Sequence, residues 1–112
     1  MIELKKLEEI RKFIHSGTMR LVYFSRPACG VCTALLPKVK EMLREYPEIE
    51  SAYINMDLIP ESAGEYSILT IPGLLVFAEG REVIREARYI SLDELSPRIQ
   101  RYYSMVFGGD SV

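Results

Sequence analysis

Short apolar runs of strand length alternate along this chain with longer segments in which apolar residues recur at helical spacing. The strand-like runs are residues 20–25, 51–56, 74–78 and 82–87. The helical segments are 4–14, 35–46 and 92–106, with one helical turn expected near 60–64. Strands that alternate with helices along a chain pair in parallel with one another, and the crossovers between them place helices on both faces of the sheet. The sequence therefore predicts an α/β fold, a three-layer α/β/α sandwich with a mixed central sheet. The Glu79-Gly80 turn closes a hairpin that adds an antiparallel edge.

The start of the last helix is ambiguous in the sequence. Ser91 and Glu94 have the spacing of a capping box, which marks a helix start. Pro97 fits the first turn of a helix that begins at Ser96 better than the second turn of one that begins at Ser91. The sequence therefore leaves both starts open, and residues 107–112 are expected to be frayed.

Length, composition and charge limit the functional classes. The 112 residues suit a single domain over 1–112, and the 48% hydrophobic content suffices for a packed core. Fourteen basic and sixteen acidic residues give a net charge of −2, so no nucleic-acid partner is expected. No apolar run reaches the roughly 20 residues of a membrane span. Seven charges in the first twelve residues exclude the apolar segment of a secretory signal. We expect a cytoplasmic monomer without a membrane partner.

The two cysteines of the chain are the strongest functional signal. They form the motif Cys29-Gly30-Val31-Cys32, which lies between a predicted strand and a predicted helix. Unpaired amides at a helix N-terminus favour an anion, so a cysteine there is a stronger acid than a free thiol. The three-residue spacing allows the two sulfurs to close a small disulfide ring. Such a pair can attack a substrate disulfide with one sulfur and resolve the mixed disulfide with the other.

The two cysteines allow two other interpretations. A structural zinc site needs four ligands, whereas this chain offers Cys29, Cys32 and a distant His15. Two inert buried cysteines are also possible, because free cysteine often behaves as a small hydrophobic residue. The strand–turn–helix context favours redox chemistry over both. His15 is expected to be a surface residue rather than a catalytic base, and no cofactor or metal is expected.

The chain resembles the thioredoxin family in its motifs and in their order. The resemblance rests on three features besides the cysteines. These are the strand Leu21–Phe24 before them, Pro37 five residues after Cys32, and the run Ile71–Phe77 followed by Gly80. The resemblance implies a thioredoxin-like fold. It also implies that Cys29 is the nucleophile and Cys32 the resolving thiol, and that the Ile71-Pro72 bond is cis. The implied substrate-binding residues are Ala28, Gly30, Val31, Ile71, Pro72 and Arg88, with the backbone of Ile71 docking extended segments.

Several positions depart from the family pattern. The family usually has a tryptophan before the first cysteine, which is Ala28 here, and a proline between the cysteines, which is Val31 here. The threonine that usually follows the cis-proline is Gly73, and the glycine that usually flattens the docking surface is Arg88. The buried acid beneath the cysteines is replaced by Tyr23, and its lysine partner by Tyr53. The N-terminal strand is shortened to residues 2–4 or lost. These departures indicate a divergent thioredoxin-like protein.

The resemblance implies a thiol–disulfide oxidoreductase that acts on protein disulfides and takes electrons from a thioredoxin-reductase-like donor. The alternative is a redox-inert or redox-sensing module that binds a partner in the groove beside Pro72. Arg26 either stabilises the Cys29 thiolate or is a solvated surface residue. Arg88 either belongs to the solvated side of the hairpin or faces the substrate groove, where it would select acidic partners.

Overall fold

The fold was obtained as a computed structural model, which describes residues 1–108. Within that range it contains five strands and four helices. In chain order the elements are β1 (Ile2–Leu4), α1 (Leu7–His15), β2 (Met19–Ser25), α2 (Gly30–Leu43), β3 (Glu50–Asn55), α3 (Glu61–Glu65), β4 (Gly73–Ala78), β5 (Arg81–Ala87) and α4 (Leu92–Phe107). All four predicted strand runs are therefore confirmed. The shortened N-terminal strand is present at Ile2–Leu4. Leu4 lies in this strand, so its assignment to the first helix was wrong. Of the tail expected to fray, Phe107 ends α4, and 109–112 lie outside the described residues.

The sheet is mixed and has the strand order β1-β3-β2-β4-β5. Strands β1, β3 and β2 pair in parallel, whereas β4 is antiparallel to both β2 and β5. The antiparallel pairing thus begins at the central strand and not only at the edge. Strand β3 runs in the same direction as β2, and β4 runs in the opposite direction, so the chain re-enters the sheet from the end at which β3 left it.

Helices cover both faces of the sheet and produce the three predicted layers. The side chains of β2 alternate between two buried clusters: Val22 and Phe24 face the α1 and α3 side, and Leu21 and Tyr23 the α2 and α4 side. These strand residues are fully buried. The continuous apolar run in the sequence predicted this, because it is typical of a strand that is covered on both faces. The α/β/α sandwich is confirmed.

Helix α4 begins at the earlier of the two starts that the sequence allows. Ser91 caps it, because its hydroxyl accepts a hydrogen bond from the Glu94 N–H at 3.3 Å. Pro97 lies inside the helix, in its second turn, so the capping-box start at Ser91 is the one that forms. The cap and the burial of Leu95 keep the first turn helical despite the intrahelical hydrogen bond that proline cannot donate. No helix in residues 1–108 is long and apolar enough to cross a bilayer.

Candidate active site

The cysteine motif lies where β2 passes into α2. Strand β2 ends at Ser25, and after a short loop Cys29 occupies the N-cap position of α2 with an extended backbone. The Cys29 and Cys32 sulfurs are joined in a disulfide, and their Cα atoms are 5.3 Å apart. One helical turn therefore brings both sulfurs of the predicted pair to a single point at the end of the sheet.

The two cysteines differ in exposure and in hydrogen bonding. Cys29 is half-buried, whereas Cys32 is fully buried. The Cys29 sulfur accepts a hydrogen bond from the Cys32 N–H at 3.2 Å, as a side-chain oxygen does at a helix N-cap. The adjacent amides of Gly30 and Val31 also lie in the first helical turn and have no intrahelical acceptor. This end of α2 is therefore built to stabilise negative charge on the outer sulfur.

Tyr23 and Tyr53 lie beneath the cysteines. Tyr23 is fully buried on β2, and its hydroxyl donates a hydrogen bond to the Cys32 carbonyl oxygen at 2.7 Å. Its ring centroid is 6.4 Å from that of the half-buried Tyr53 on β3. Burial, with a smaller contribution from Tyr53, raises the pKa of Tyr23 from 10.0 to about 12. The Tyr23 hydroxyl consequently remains protonated at neutral pH and cannot act there as a base.

A cavity of about 400 Å³ opens beside this aromatic pair. It is lined by Met1, Glu3, Pro27, Leu36, Lys40, Tyr53 and Asn55. Polar side chains thus surround the Tyr53 side of the pair, whereas Tyr23 is shut off from solvent. The sequence alone did not indicate this cavity, because its walls come from β1, β3, α2 and the loop before the cysteines.

The cis-proline segment lies at the same end of the sheet as the cysteines. Gly73, the first residue of β4, pairs with Phe24 near the end of β2, four residues before Ala28. The Ile71-Pro72 bond is cis, as expected. Pro72 is buried and Ile71 half-buried. Strand pairing therefore brings Ile71 and Pro72 to the edge from which the cysteine loop emerges.

The other predicted substrate-binding residues lie at the surface of this edge. Ala28, Gly30 and Val31 are exposed, and Val31 retains 63% of its accessible surface. Arg88 is also exposed, and its backbone N–H donates a hydrogen bond to the Pro72 carbonyl oxygen at 2.8 Å. Tyr89, which the sequence analysis did not single out, is 85% exposed next to it.

Arg26 and His15 do not act on the cysteines in this structure. The Arg26 guanidinium forms an exposed ion pair with Asp57 at 3.2 Å, which favours the surface interpretation. His15 ends α1 and lies beside Gly80 in the β4–β5 turn. In the described part of the chain, no three His, Cys, Asp or Glu residues are placed to hold a metal ion.

Comparison with known proteins agrees with this geometry. The family profile described as Thioredoxin matches residues 3–101, which is most of the chain. The chain belongs to the thioredoxin family. It is 38% identical to "Thioredoxin-like protein YdfQ" of Bacillus subtilis over 108 residues, covering 96% of each chain. It is 28% identical to the thioredoxin of Chlamydia trachomatis, covering 91% of this chain and 99% of that one. The solved structure of Fasciola hepatica thioredoxin superposes with a TM-score of 0.81 at 30% identity, covering 90% and 98% of the two chains.

This thioredoxin-family member retains the paired cysteines, the strand before them and the cis-proline. Its departures are concentrated around those features, at Tyr23, Tyr53, Val31 and Arg88. The structure shows that Tyr23 and Tyr53 contact each other below Cys32, whereas Val31 and Arg88 are at the surface. The divergence therefore affects both the environment of the inner cysteine and the surface around the outer one.

Proposed function

We propose that this chain is a thiol–disulfide oxidoreductase that reduces or exchanges protein disulfides through Cys29 and Cys32. The observation that carries the proposal is the asymmetry of the pair. Cys29 is the half-exposed cap of α2, and its sulfur accepts an N–H, while the sulfur bonded to it belongs to the fully buried Cys32. A nucleophile needs access and stabilisation of its thiolate, and a resolving thiol needs protection and proximity. Each cysteine has the environment that one of these roles requires.

The proposed reaction begins from the dithiol. The Cys29 thiolate attacks one sulfur of the substrate disulfide, breaks that bond and forms a mixed disulfide, and the released substrate thiolate takes up a proton. Cys32 then loses its proton and attacks the Cys29 sulfur. The mixed disulfide breaks, the Cys29–Cys32 disulfide forms, and the second substrate thiolate leaves and is protonated. Two electrons pass from the pair to the substrate, and an external dithiol restores them.

The proposed substrate site is the surface around the outer sulfur. Exposed Ala28, Gly30 and Val31 flank Cys29, and the segment at Ile71 and Pro72 offers backbone groups for strand-like pairing with an extended substrate. The substrates in this proposal are protein disulfides, and a thioredoxin-reductase-like protein in the cytoplasm supplies the electrons.

Reduction of insulin by dithiothreitol tests the proposal. We expect the chain to accelerate the appearance of turbidity and Cys29→Ser to abolish the acceleration. A wild-type rate equal to the rate without protein would rule out the reductase function. Under the proposal, Cys32→Ser should accumulate mixed disulfides with its substrates in a lysate, whereas Cys29→Ser, as the matched control, should not.

The second candidate, a redox-inert or redox-sensing binding module, is favoured by one observation. No base faces Cys32 from position 23, since the buried Tyr23 hydroxyl has a pKa of about 12. A redox-sensing module would form and break its own disulfide without turning over substrate, and a redox-inert module would do neither. The insulin assay separates the two functions, because only the oxidoreductase raises the rate catalytically.

A further inference from the structure

The backbone of Arg88 is held in an unfavourable conformation at the edge of the candidate active site. Strand β5 ends at Ala87, which pairs with Gly73 of β4. Arg88 follows with a φ of 71°, in the left-handed region, and its N–H is bonded to the Pro72 carbonyl oxygen at 2.8 Å. This conformation is unfavourable for a residue other than glycine. Backbone strain of this kind is concentrated at binding and catalytic sites.

The Arg88 side chain is directed to solvent rather than to a partner within the described chain. Arg26, Arg85 and Arg98 are each in an ion pair, with Asp57, Glu82 and Glu86 respectively. In residues 1–108 no carboxylate forms an ion pair with Arg88. Its guanidinium instead lies 5.5 Å from the ring centroid of the exposed Tyr89. An arginine that stacks on an aromatic ring keeps its N–H edge available to bind a carboxylate.

The charges along this edge give Arg88 a distinct role. Arg26 is compensated by Asp57, and Glu86 by Arg98. The chain as a whole carries a net charge of −2, so its overall charge does not attract acidic substrates. Arg88 therefore carries a positive charge without a carboxylate partner in the described chain, on a residue whose backbone is bonded to Pro72, where the proposed function places an extended substrate segment.

We propose that Arg88, supported by Tyr89, determines substrate specificity by binding a carboxylate near the reactive cysteine of the substrate. This inference rests on the proposed function and names a substrate class for it: disulfides whose flanking segment is acidic. The guanidinium forms charge-assisted hydrogen bonds with that carboxylate, and Tyr89 limits the orientations of the arginine. Because the contact forms on binding, it lowers KM and leaves kcat unchanged.

Two peptides bridged by the same disulfide and differing only in a glutamate or a lysine beside one cysteine test the inference. We expect a three- to fivefold lower KM for the glutamate peptide at low salt, the size that an exposed ion pair supplies. Salt near 1 M should remove most of the difference, because it screens exposed charges. In Arg88→Gln the difference in KM between the two peptides should disappear. The matched control, Arg81→Gln, changes an exposed arginine at the other end of β5 and should retain the preference.

The outcomes distinguish this inference from the proposed function. Equal KM values for the two peptides in the wild type, or a preference that survives Arg88→Gln, would overturn the role of Arg88 and leave the oxidoreductase intact. Turnover of neither peptide above the Cys29→Ser background would remove the proposed function, and the inference with it.

Discussion

The phenolic hydroxyl of Tyr23 donates a hydrogen bond to the backbone carbonyl oxygen of Cys32 at 2.7 Å. This contact joins the central strand β2 to the first turn of α2, directly beneath the disulfide. Both residues are fully buried, so the hydrogen bond forms out of contact with water. Tyrosine at position 23 consequently fixes the position of the inner cysteine but supplies no base at neutral pH.

Removal of that hydroxyl should destabilise the fold. We expect Tyr23→Phe to lower the free energy of unfolding of the oxidised protein by about 1 kcal/mol, the usual net contribution of such a hydrogen bond. Urea unfolding at pH 7 measures the change. Tyr53→Phe is the matched control, because the Tyr53 hydroxyl makes no hydrogen bond within residues 1–108, and should stay within about 0.5 kcal/mol of the wild type. Equal losses in the two variants would contradict a specific role for the Tyr23 contact.

The raised pKa of Tyr23 predicts a loss of stability in alkali. Below pH 10 the hydroxyl is protonated in both the folded and the unfolded chain. Between pH 10.0 and about 12 only the unfolded chain loses this proton, so the free energy of unfolding falls as the pH rises. The stability gap between wild type and Tyr23→Phe should therefore narrow by about 1 kcal/mol from pH 9 to pH 11. Urea titrations at both pH values measure the gap, and a constant gap would show that Tyr23 titrates alike in both states.

Much of the fold followed from local patterns in the sequence. The apolar run at 20–25 predicted a strand covered on both faces, and the cysteine motif was correctly placed at the start of a helix. The start of α4 could not be decided from the sequence, because the capping box at Ser91 and the unfavourable second-turn position of Pro97 point to different residues. The Tyr46 hydroxyl contacts the Ser96 carbonyl oxygen at 3.0 Å and the Ser96 hydroxyl at 2.7 Å. These contacts, with the Ser91 cap, hold the turn before Pro97.

The details of the site depended on relationships that no single segment contains. The sequence identified Tyr23 as a substitution for an acid. Its hydrogen bond to Cys32, however, depends on how α2 packs against β2, which the sequence does not show. The role of Arg26 likewise depended on a distant residue. Its ion pair with Asp57, more than 30 residues away along the chain, favours the surface interpretation over stabilisation of the Cys29 thiolate. Arg88 combines a positive φ with a hydrogen bond from its N–H to the Pro72 carbonyl oxygen, and residue type alone predicts neither. Local chemistry is readable from sequence, whereas pairings between distant segments are not.

The two thiols of the reduced protein should differ in reactivity. We expect iodoacetamide to alkylate Cys29 first, because Cys29 is half-buried at the N-cap of α2 whereas Cys32 is fully buried. Mass spectrometry of peptides after brief labelling below pH 8 measures the order. Cys29→Ser and Cys32→Ser serve as single-thiol controls. Faster labelling of Cys32 would reverse the assignment of the two roles.

The hairpin turn offers a stability test that is independent of the site. Glu79 and Gly80 have φ values of 52° and 83°, and a two-residue turn with both values positive favours asparagine followed by glycine. Glu79→Asn should therefore raise the free energy of unfolding by about 0.5 kcal/mol. Gly80→Ala should lower it by more than 1 kcal/mol, since a Cβ atom there would lie 2.8 Å from His15 Nδ1. Thermal or urea unfolding measures both changes, and a stabilising Gly80→Ala would contradict this account of the turn.

A carboxylate at position 23 should accelerate the resolving step. The Tyr23 side chain extends to Cys32, and an aspartate there would be shorter but directed the same way. We expect its carboxylate to help remove the Cys32 proton through a bridging water, since general bases are suited to this task. In the wild type that proton passes to water or to the departing thiolate, and the rate should rise with pH up to the pKa of the Cys32 thiol. Tyr23→Asp should therefore resolve a mixed disulfide on Cys29 faster at pH 7. Stopped-flow decay of a coloured aromatic thiol bound to Cys29 measures the rate.

The same substitution should reduce stability, which separates its two effects. An aspartate at this fully buried position would lie beside Tyr53 instead of a lysine, and an unpaired buried carboxylate is costly. Urea unfolding should show a loss larger than that of Tyr23→Phe, which lacks both the hydroxyl and the base. Tyr23→Phe is also the kinetic control and should show no acceleration at pH 7. If Tyr23→Asp leaves the resolution rate unchanged, the absence of a buried acid does not limit this protein, and the explanation fails.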